Sequence, residues 1–378
     1  MIYLDYSANT PVDEAVLERF CAVERSCPGN ANSRHQAGAA AKTAIDEATQ
    51  SIARSLNVQP AEIIYTSGAS EANNFALKSI ARLERHHGKH IISTPLEHSS
   101  VSGSLTALQE QGYEIDLVDI KQDGTVDLAH LRELLRPDTI LVSMMLVNNE
   151  LGTLQPVAET AKAIRAAGSP ALLHCDAVQG FLKVPFTPKA LGVDLLTISG
   201  HKIHAPKGVG ALYIRKGLRF PPLIRGGGQE EGLRSGTEAT AQIAAFAAAA
   251  QAGKATLAAD LEHMAALKAD LARRLPQEVP GAKVVVQGQA PHILPITLPG
   301  YKSDVIVRFL SDRGICVSSG SACHKGKPSH VYAALKLPKK ELDGVLRISF
   351  SYDTTPQDID ALLEGLKAAQ EQLFTSLS

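Results

Sequence analysis

The stretches Ala171-Leu-Leu-His-Cys-Asp176-Ala-Val-Gln179 and Leu195-Leu-Thr-Ile-Ser-Gly-His-Lys202 decide how this chain folds. Each is an apolar run of strand length that stops at polar residues able to do chemistry. Outward from them, β-branched runs at 62–66, 90–93, 114–118, 139–145 and 210–214 alternate with amphipathic stretches at 71–84, 99–111, 128–135 and 156–167. That alternation predicts an α/β fold, a mainly parallel sheet of about seven strands covered by helices. Open sheets of this kind bind ligands beyond the carboxyl ends of their strands, where Asp176 and Lys202 fall.

Past the Pro/Gly-rich segment 220–236, an Ala-rich stretch from Glu238 to about Leu275 reads as one or two helices leaving the sheet. Strands at 283–286, 293–298 and 345–350, with helices at 303–313 and 356–372, then make a smaller α+β unit. The pattern thus gives a sheet domain followed by a smaller unit.

Composition narrows the function. The chain has 378 residues, 44% of them hydrophobic, enough for a buried core. With 38 basic and 39 acidic side chains it carries no global field for nucleic acid or an anionic membrane. The five cysteines, Cys21, Cys27, Cys175, Cys316 and Cys323, are odd in number and contain no C-x-x-C pair, which points to thiols of a reducing, cytoplasmic compartment. Met1-Ile-Tyr-Leu-Asp5 lacks a basic region followed by an apolar one, so neither a secretory leader nor a membrane span is expected.

An acid and a lysine brought to one rim suit pyridoxal phosphate (PLP), which needs a Schiff-base amine and a carboxylate to keep the pyridine nitrogen protonated. An isolated Asp and Lys in loops are more often just solvated charges, so other residues must join them. Thr66-Ser-Gly-Ala-Ser-Glu71 is a strand-turn-helix passage whose free N–H groups would hold a phosphate, although an ordinary helix cap explains Ser70 equally well. His98 could lie against a planar ring and move protons near neutral pH. His86, His87 and His90 read as a solvated helix end. His201 and His204 form an i, i+3 pair with no third ligand nearby, so no metal is expected. Gly226 to Gly232 follows no strand, which excludes a dinucleotide fingerprint. Cys323, in a small polar loop beside His324, Lys325 and Lys327, has a route to a lowered thiol pKa, whereas Cys175 and Cys316 read as core residues.

Taken together these residues resemble the PLP-dependent cysteine desulfurases of the nitrogen-fixation and iron-sulfur-cluster type, in the class V aminotransferase family. The resemblance rests on Tyr3-Leu-Asp-Tyr-Ser7, Thr66-Ser-Gly-Ala-Ser-Glu71, Glu97-His98, Val147-Asn-Asn-Glu-Leu-Gly152, Asp176-Ala-Val-Gln179, Ser199-Gly-His-Lys202, Gly226-Gly-Gly-Gln-Glu230, Arg234-Ser-Gly-Thr237, Ser318-Ser-Gly-Ser-Ala-Cys323 and Leu346-Arg-Ile-Ser349, which run in family order.

It implies a PLP-dependent transferase fold of type I, divided into a large domain over 14–257 and a small one formed by 1–13 with 258–378. Lys202 would be the Schiff-base lysine, Asp176 would pair with the pyridine nitrogen, Gln179 would bond the ring hydroxyl, and His98 would stack on the ring and shuttle protons. Ala69, Ser70, Ser199 and His201 would hold the phosphate, with Thr237 reaching it from the other subunit of a homodimer. Asn149 and Arg347 would grip the carboxylate of L-cysteine, and Cys323 would take its sulfur as a persulfide, leaving alanine. The basic run His324-Lys-Gly-Lys-Pro-Ser-His330 departs from the Ser/Thr-rich loops of many members, so a thiolation enzyme stands beside an iron-sulfur scaffold as the expected sulfur acceptor. Asn9 stands where a threonine is common, a change expected to be benign. The alternatives are a selenocysteine lyase, another class V lyase or aminotransferase, and a non-catalytic sulfur-relay subunit.

Overall fold

The computed structural model describes residues 1–218, 221–319 and 329–375. Its first part contains β1 (Ile2–Tyr3), α1 (Glu14–Ser26), α2 (Gln36–Leu56), β2 (Ile63–Thr66), α3 (Ala69–Glu84), β3 (His90–Ser93), α4 (Ser99–Gln109), β4 (Glu114–Leu117), α5 (Leu128–Leu134) and β5 (Thr139–Ser143). The chain continues through α6 (Val157–Ala166), β6 (Leu172–Asp176), α7 (Pro188–Leu191), β7 (Leu195–Ser199), β8 (Gly210–Ile214) and the long α8 (Thr240–Glu278). The remainder is β9 (Lys283–Val284), β10 (Ile293–Thr297), α9 (Ser303–Ser311), β11 (Ile315–Cys316), α10 (His330–Ala334), α11 (Lys339–Leu342), β12 (Val345–Ser349) and α12 (Pro356–Gln372).

The main sheet has seven strands in the order β2-β8-β7-β6-β5-β3-β4. The pairs from β7 to β4 are parallel, and β8 alone in this sheet runs against its neighbours, antiparallel to both β7 and β2. Strict alternation assigns the side chains to two faces. Ile63, Tyr65, Ile92, Val142, Leu196 and Ile198 point into one core, and Ile64, Ile91, Leu141, Leu195 and Leu212 into the other, under α3 and α4. Because β3 leads outward to β4 while β5 leads the other way to β6, strand order reverses between β3 and β5, and a crevice opens at their carboxyl ends.

A third core joins Leu4 to the second half of α8, β10, β12, α9 and α12. The Ala-rich stretch is one 39-residue helix. Ile243, Phe246 and Ala250 at its start pack on the sheet, and Met264, Leu267 and Leu271 further on pack in the small unit. The expected boundary at 257 falls inside this unbroken helix.

Three features differ from expectation. Helix α2 and the two-residue pair β1–β11 lie outside the expected elements: α2 does carry an apolar stripe, Ala41, Ala44, Ile45, Ala48 and Ile52, built mostly of alanine, and β1–β11 is too short to show periodicity. His90 is not part of a solvated helix end: it is fully buried in β3, its ring between Thr139 Oγ1 (2.8 Å) and Asp116 Oδ2 (3.1 Å), because α3 has already stopped at Glu84. Cys316, expected in a core, is only half-buried on β11, whereas Cys175 is fully buried.

Candidate active site

A cavity of about 610 Å³ lies at the carboxyl rim of the sheet, lined by residues from the ends of β2, β3, β5, β6 and β7 and by Arg347 of β12. It falls within the size range of small-molecule sites. Pairing of Asp176 with Thr197 in the β6–β7 ladder fixes the offset between the carboxylate and the lysine that follows β7. Asp176 is buried, and each carboxylate oxygen is held: Oδ1 by the Val178 N–H (3.0 Å) and Oδ2 by Asn73 Nδ2 (2.8 Å). Lys202 Nζ donates to the carbonyls of Ser7 (2.6 Å) and Ala8 (2.7 Å), so the N-terminal segment cradles it without a carboxylate among these contacts.

At the end of β2, Gly68 turns the chain with φ +145°, a conformation that favours glycine, and the space where a Cβ would stand is open. Ala69 and Ser70 open α3 there, so their N–H groups have no partner one helical turn earlier and face the cavity wall. Glu71 braces the turn by accepting from Ser67 N and from Arg234 in a two-pronged pair (2.7 and 3.1 Å). Burial alone would raise the Glu71 carboxyl, but the hydrogen bonds from Arg234 and Ser67 outweigh it and hold it below its usual value. Ser199 and His201 sit opposite, Oγ to Nδ1 at 2.9 Å. Burial first, then the Lys202, Lys183 and Lys207 cations, push His201 down to about 4, so near neutral pH it is an uncharged ring beside the anion cradle.

His98 caps α4 and reaches the cavity from the β3 end. Gln179 turns its Oε1 toward His292 Nε2 (3.2 Å) and Lys183 Nζ (3.4 Å), which directs its amide nitrogen to Ser7 O (2.9 Å) on the cavity side. Arg347 is 4% exposed; Nη2 pairs with Asp5 (2.8 Å), Nη1 donates to Asn149 O (3.1 Å), and Nε has no partner among the described residues. Thr237 does not line this cavity within the same chain. It lines a neighbouring hollow of about 220 Å³ that shares Ser67 and Gly208 as a common wall. Cys323, His324, Lys325 and Lys327 lie outside the described residues. On the near side of that stretch Ser318 pairs with Arg347, and on the far side His330 Nε2 donates to Glu97 O (3.1 Å) in the cavity wall.

In the cavity wall and just behind it stand residues to which motif reading gave no role. Glu97 is buried, accepting from Thr94 Oγ1 (2.8 Å) and Met145 N (2.9 Å), and burial pushes its carboxyl up to about 8. Behind Gln179, Lys183 is buried and, chiefly by desolvation, held down to about 7. Asn73 is a buried polar residue in the apolar stripe Ala72, Ala76, Ile80 of α3, and that break in the stripe is the signal that could have found it. Among the described residues, no group of three or more His, Cys, Asp or Glu is arranged to hold a metal ion, and no helix is long and apolar enough to cross a membrane.

The description of the class-V aminotransferases matches residues 2–362. The chain belongs to that family. Within the class-V aminotransferases it stands with the NifS-type cysteine desulfurases: the cysteine desulfurase IscS of Dictyoglomus turgidum is 37% identical, the match covering 99% of this chain and 95% of that protein. A solved structure described as a NifS-like protein superposes with a TM-score of 0.93 at 35% identity, covering 98% of this chain and all of that one. Another, described as SspA in complex with cysteine, superposes at 0.81 with 32% identity, covering 94% of this chain and 100% of that one. Class-V aminotransferases are PLP enzymes, and the residues present here fit that group. An amine and a held carboxylate line the same cavity, helix-start N–H groups flank an open glycine turn, and a buried arginine has an Nε with no partner among the described residues.

Proposed function

We propose that this chain is a PLP-dependent L-cysteine desulfurase. The observation that carries the reading is the convergence of Lys202, Asp176, His98, Gln179 and Arg347 on one cavity at the strand-order reversal of the sheet. Lys202 would bind the cofactor covalently, Asp176 would keep its ring nitrogen protonated, and Gln179 would donate to its ring hydroxyl. The N–H groups of Ala69 and Ser70, with Ser199 and neutral His201, would hold the phosphate, joined by Thr237 from the second subunit of a homodimer. When bound, the cofactor supplies an electron sink that lets a proton leave the substrate Cα.

This chain's residues then divide the remaining work. Arg347 and Asn149 hold the substrate carboxylate, and the guanidinium suits that task because its planar donors match two carboxylate oxygens. His98, which lines the cavity, would lie against the cofactor ring and move a proton there. The Cys323 thiolate would take the substrate sulfur: an S–S bond forms on the enzyme as the Cβ–S bond breaks, its electron pair stays with the carbon fragment, and a proton taken up at Cβ lets that fragment leave as alanine. The support for Cys323 is the Ser318-Ser-Gly-Ser-Ala-Cys323 motif. An iron-sulfur scaffold or a thiolation enzyme in the cytoplasm would accept the persulfide. We take 14–257 as the cofactor-binding domain and 1–13 with 258–378 as the small domain, supported by the separate core around Leu4, Leu271 and Ile348.

The test is to purify the protein with PLP, record visible absorbance, and assay alanine and sulfide from L-cysteine with a reductant. Lys202→Ala should lose the absorbance, and Cys323→Ala should keep it while sulfide formation stops. A colourless protein that never takes up PLP sinks the proposal. Undiminished sulfide release by Cys323→Ala would move the chain to another class-V lyase.

A further inference from the structure

Four short contacts run from the buried Asp176 to the ring of His98. Asn73 Nδ2 donates to Asp176 Oδ2 (2.8 Å) and to Ser100 Oγ (2.9 Å). Ser100 Oγ lies 2.9 Å from His98 Nδ1, and the Ser100 backbone N–H donates to that same nitrogen at 3.2 Å. The orientation of the Asn73 amide is forced, since only its nitrogen can face a carboxylate. Ser100 Oγ therefore accepts from Asn73, and its single proton is directed at His98 Nδ1. With two donors aimed at it, Nδ1 has no room for a proton of its own.

We infer that Asn73 and Ser100 act as positioning residues that lock neutral His98 in one tautomer, with its proton on Nε2, the nitrogen left for the cavity. Resting His98 then offers the cavity a hydrogen-bond donor, and no lone pair at Nε2. Proton uptake from the cavity would require Nδ1 to carry the proton instead, at the loss of both hydrogen bonds. The charged and titratable groups around the ring act in both directions. Loss of solvation holds His98 below its usual pKa, Asp176 opposes this, and Lys202 and His330 add to it, with His201 also nearby. The inference rests on reading this cavity as the cofactor site, but the tautomer itself depends only on the contacts named.

The test uses 15N-histidine-labelled holoenzyme, with His98 assigned by its absence in His98→Gln, and reads the long-range proton–nitrogen couplings that separate the two tautomers. The expected pattern is protonation at Nε2. Ser100→Ala removes one donor from Nδ1 and should raise the His98 pKa by about half to one pH unit, while Ser100→Thr, which keeps the hydroxyl, should restore it. A merely structural role would alter stability without this titration shift. A wild-type pattern with the proton on Nδ1, or an unchanged His98 pKa in folded Ser100→Ala, overturns the inference. Failure of the cofactor reading would show separately, as a colourless protein whose His98 couplings still report the tautomer.

Discussion

Asp176 and Lys202 stand at the ends of adjacent strands and are placed by the sheet's own ladder, whereas Asp5 and Arg347 meet across 342 residues of sequence. The first wall of the cavity is rigid by local construction. The second is assembled where a short N-terminal segment is pinned between two bodies. Ser7 N donates to Ser349 Oγ (2.9 Å) on the small unit, and Ser7 O accepts from Gln179 and Lys202 on the sheet. On the proposed function, the strand-end wall would carry the groups that act on the cofactor, and the segment wall those that select and hold the substrate. Perturbing the two walls should therefore give different kinetic signatures.

The strongest break of this division comes from Asp176→Ala. It removes the carboxylate proposed to keep the cofactor's ring nitrogen protonated and should lower kcat by about 10³-fold, with an altered cofactor spectrum. Arg347→Ala should instead raise KM for L-cysteine by about 10- to 100-fold, the loss of a charged hydrogen-bonding partner, and leave the cofactor spectrum intact. Loss of the spectrum in the arginine variant would mean that the two walls are not separable.

Glu97 sharpens the comparison through pH. Its folded carboxyl titrates near 8, well above the usual 4.5, so the folded chain binds the extra proton between those values. Stability from this group is thus full below about pH 4.5 and declines as pH rises toward 8. Glu97→Gln should remove that decline, a difference on the order of 3 kcal/mol in unfolding free energy between pH 5 and 8, read by denaturant titration at both pH values. A parallel fall in both proteins would assign the pH dependence to other groups. The smallest effect is expected from Asp5→Asn, which keeps a hydrogen-bond acceptor for Arg347 but removes the charge and should change KM only a few-fold.

The same contrast governs what could be read from the sequence. Most of the seven strands were legible as apolar runs bounded by polar residues, while the edge strand β4, Glu114-Ile-Asp-Leu117, alternates instead; β3 and β8 match their expected limits at 90–93 and 210–214. Asp176, Lys202 and the Ser67-Gly68-Ala69 turn could be placed at the rim by that reading alone. The pairing of Asp5 with Arg347 could not, since no local period records a contact between chain segments so far apart. Asn73, Ser100 and Lys183 were missed for a related reason: each acts through a neighbour, and such residues carry no motif apart from a polar side chain where burial would not expect one.

The N-terminal segment has a consequence for how the enzyme matures. β1 pairs with β11, Leu4 O accepts from Ser349 N (2.9 Å), and Thr10 grips the carbonyl of His201 (3.0 Å). A ribosome-bound chain can complete the seven-stranded sheet once β8 has emerged, yet the cradle around Lys202 stays unfinished until β12 arrives to hold the first ten residues in place. Such late, long-range closure is intrinsically slow. The cavity is thus assembled near the end of folding, so cofactor capture becomes a signal that both ends of the described chain have found their places.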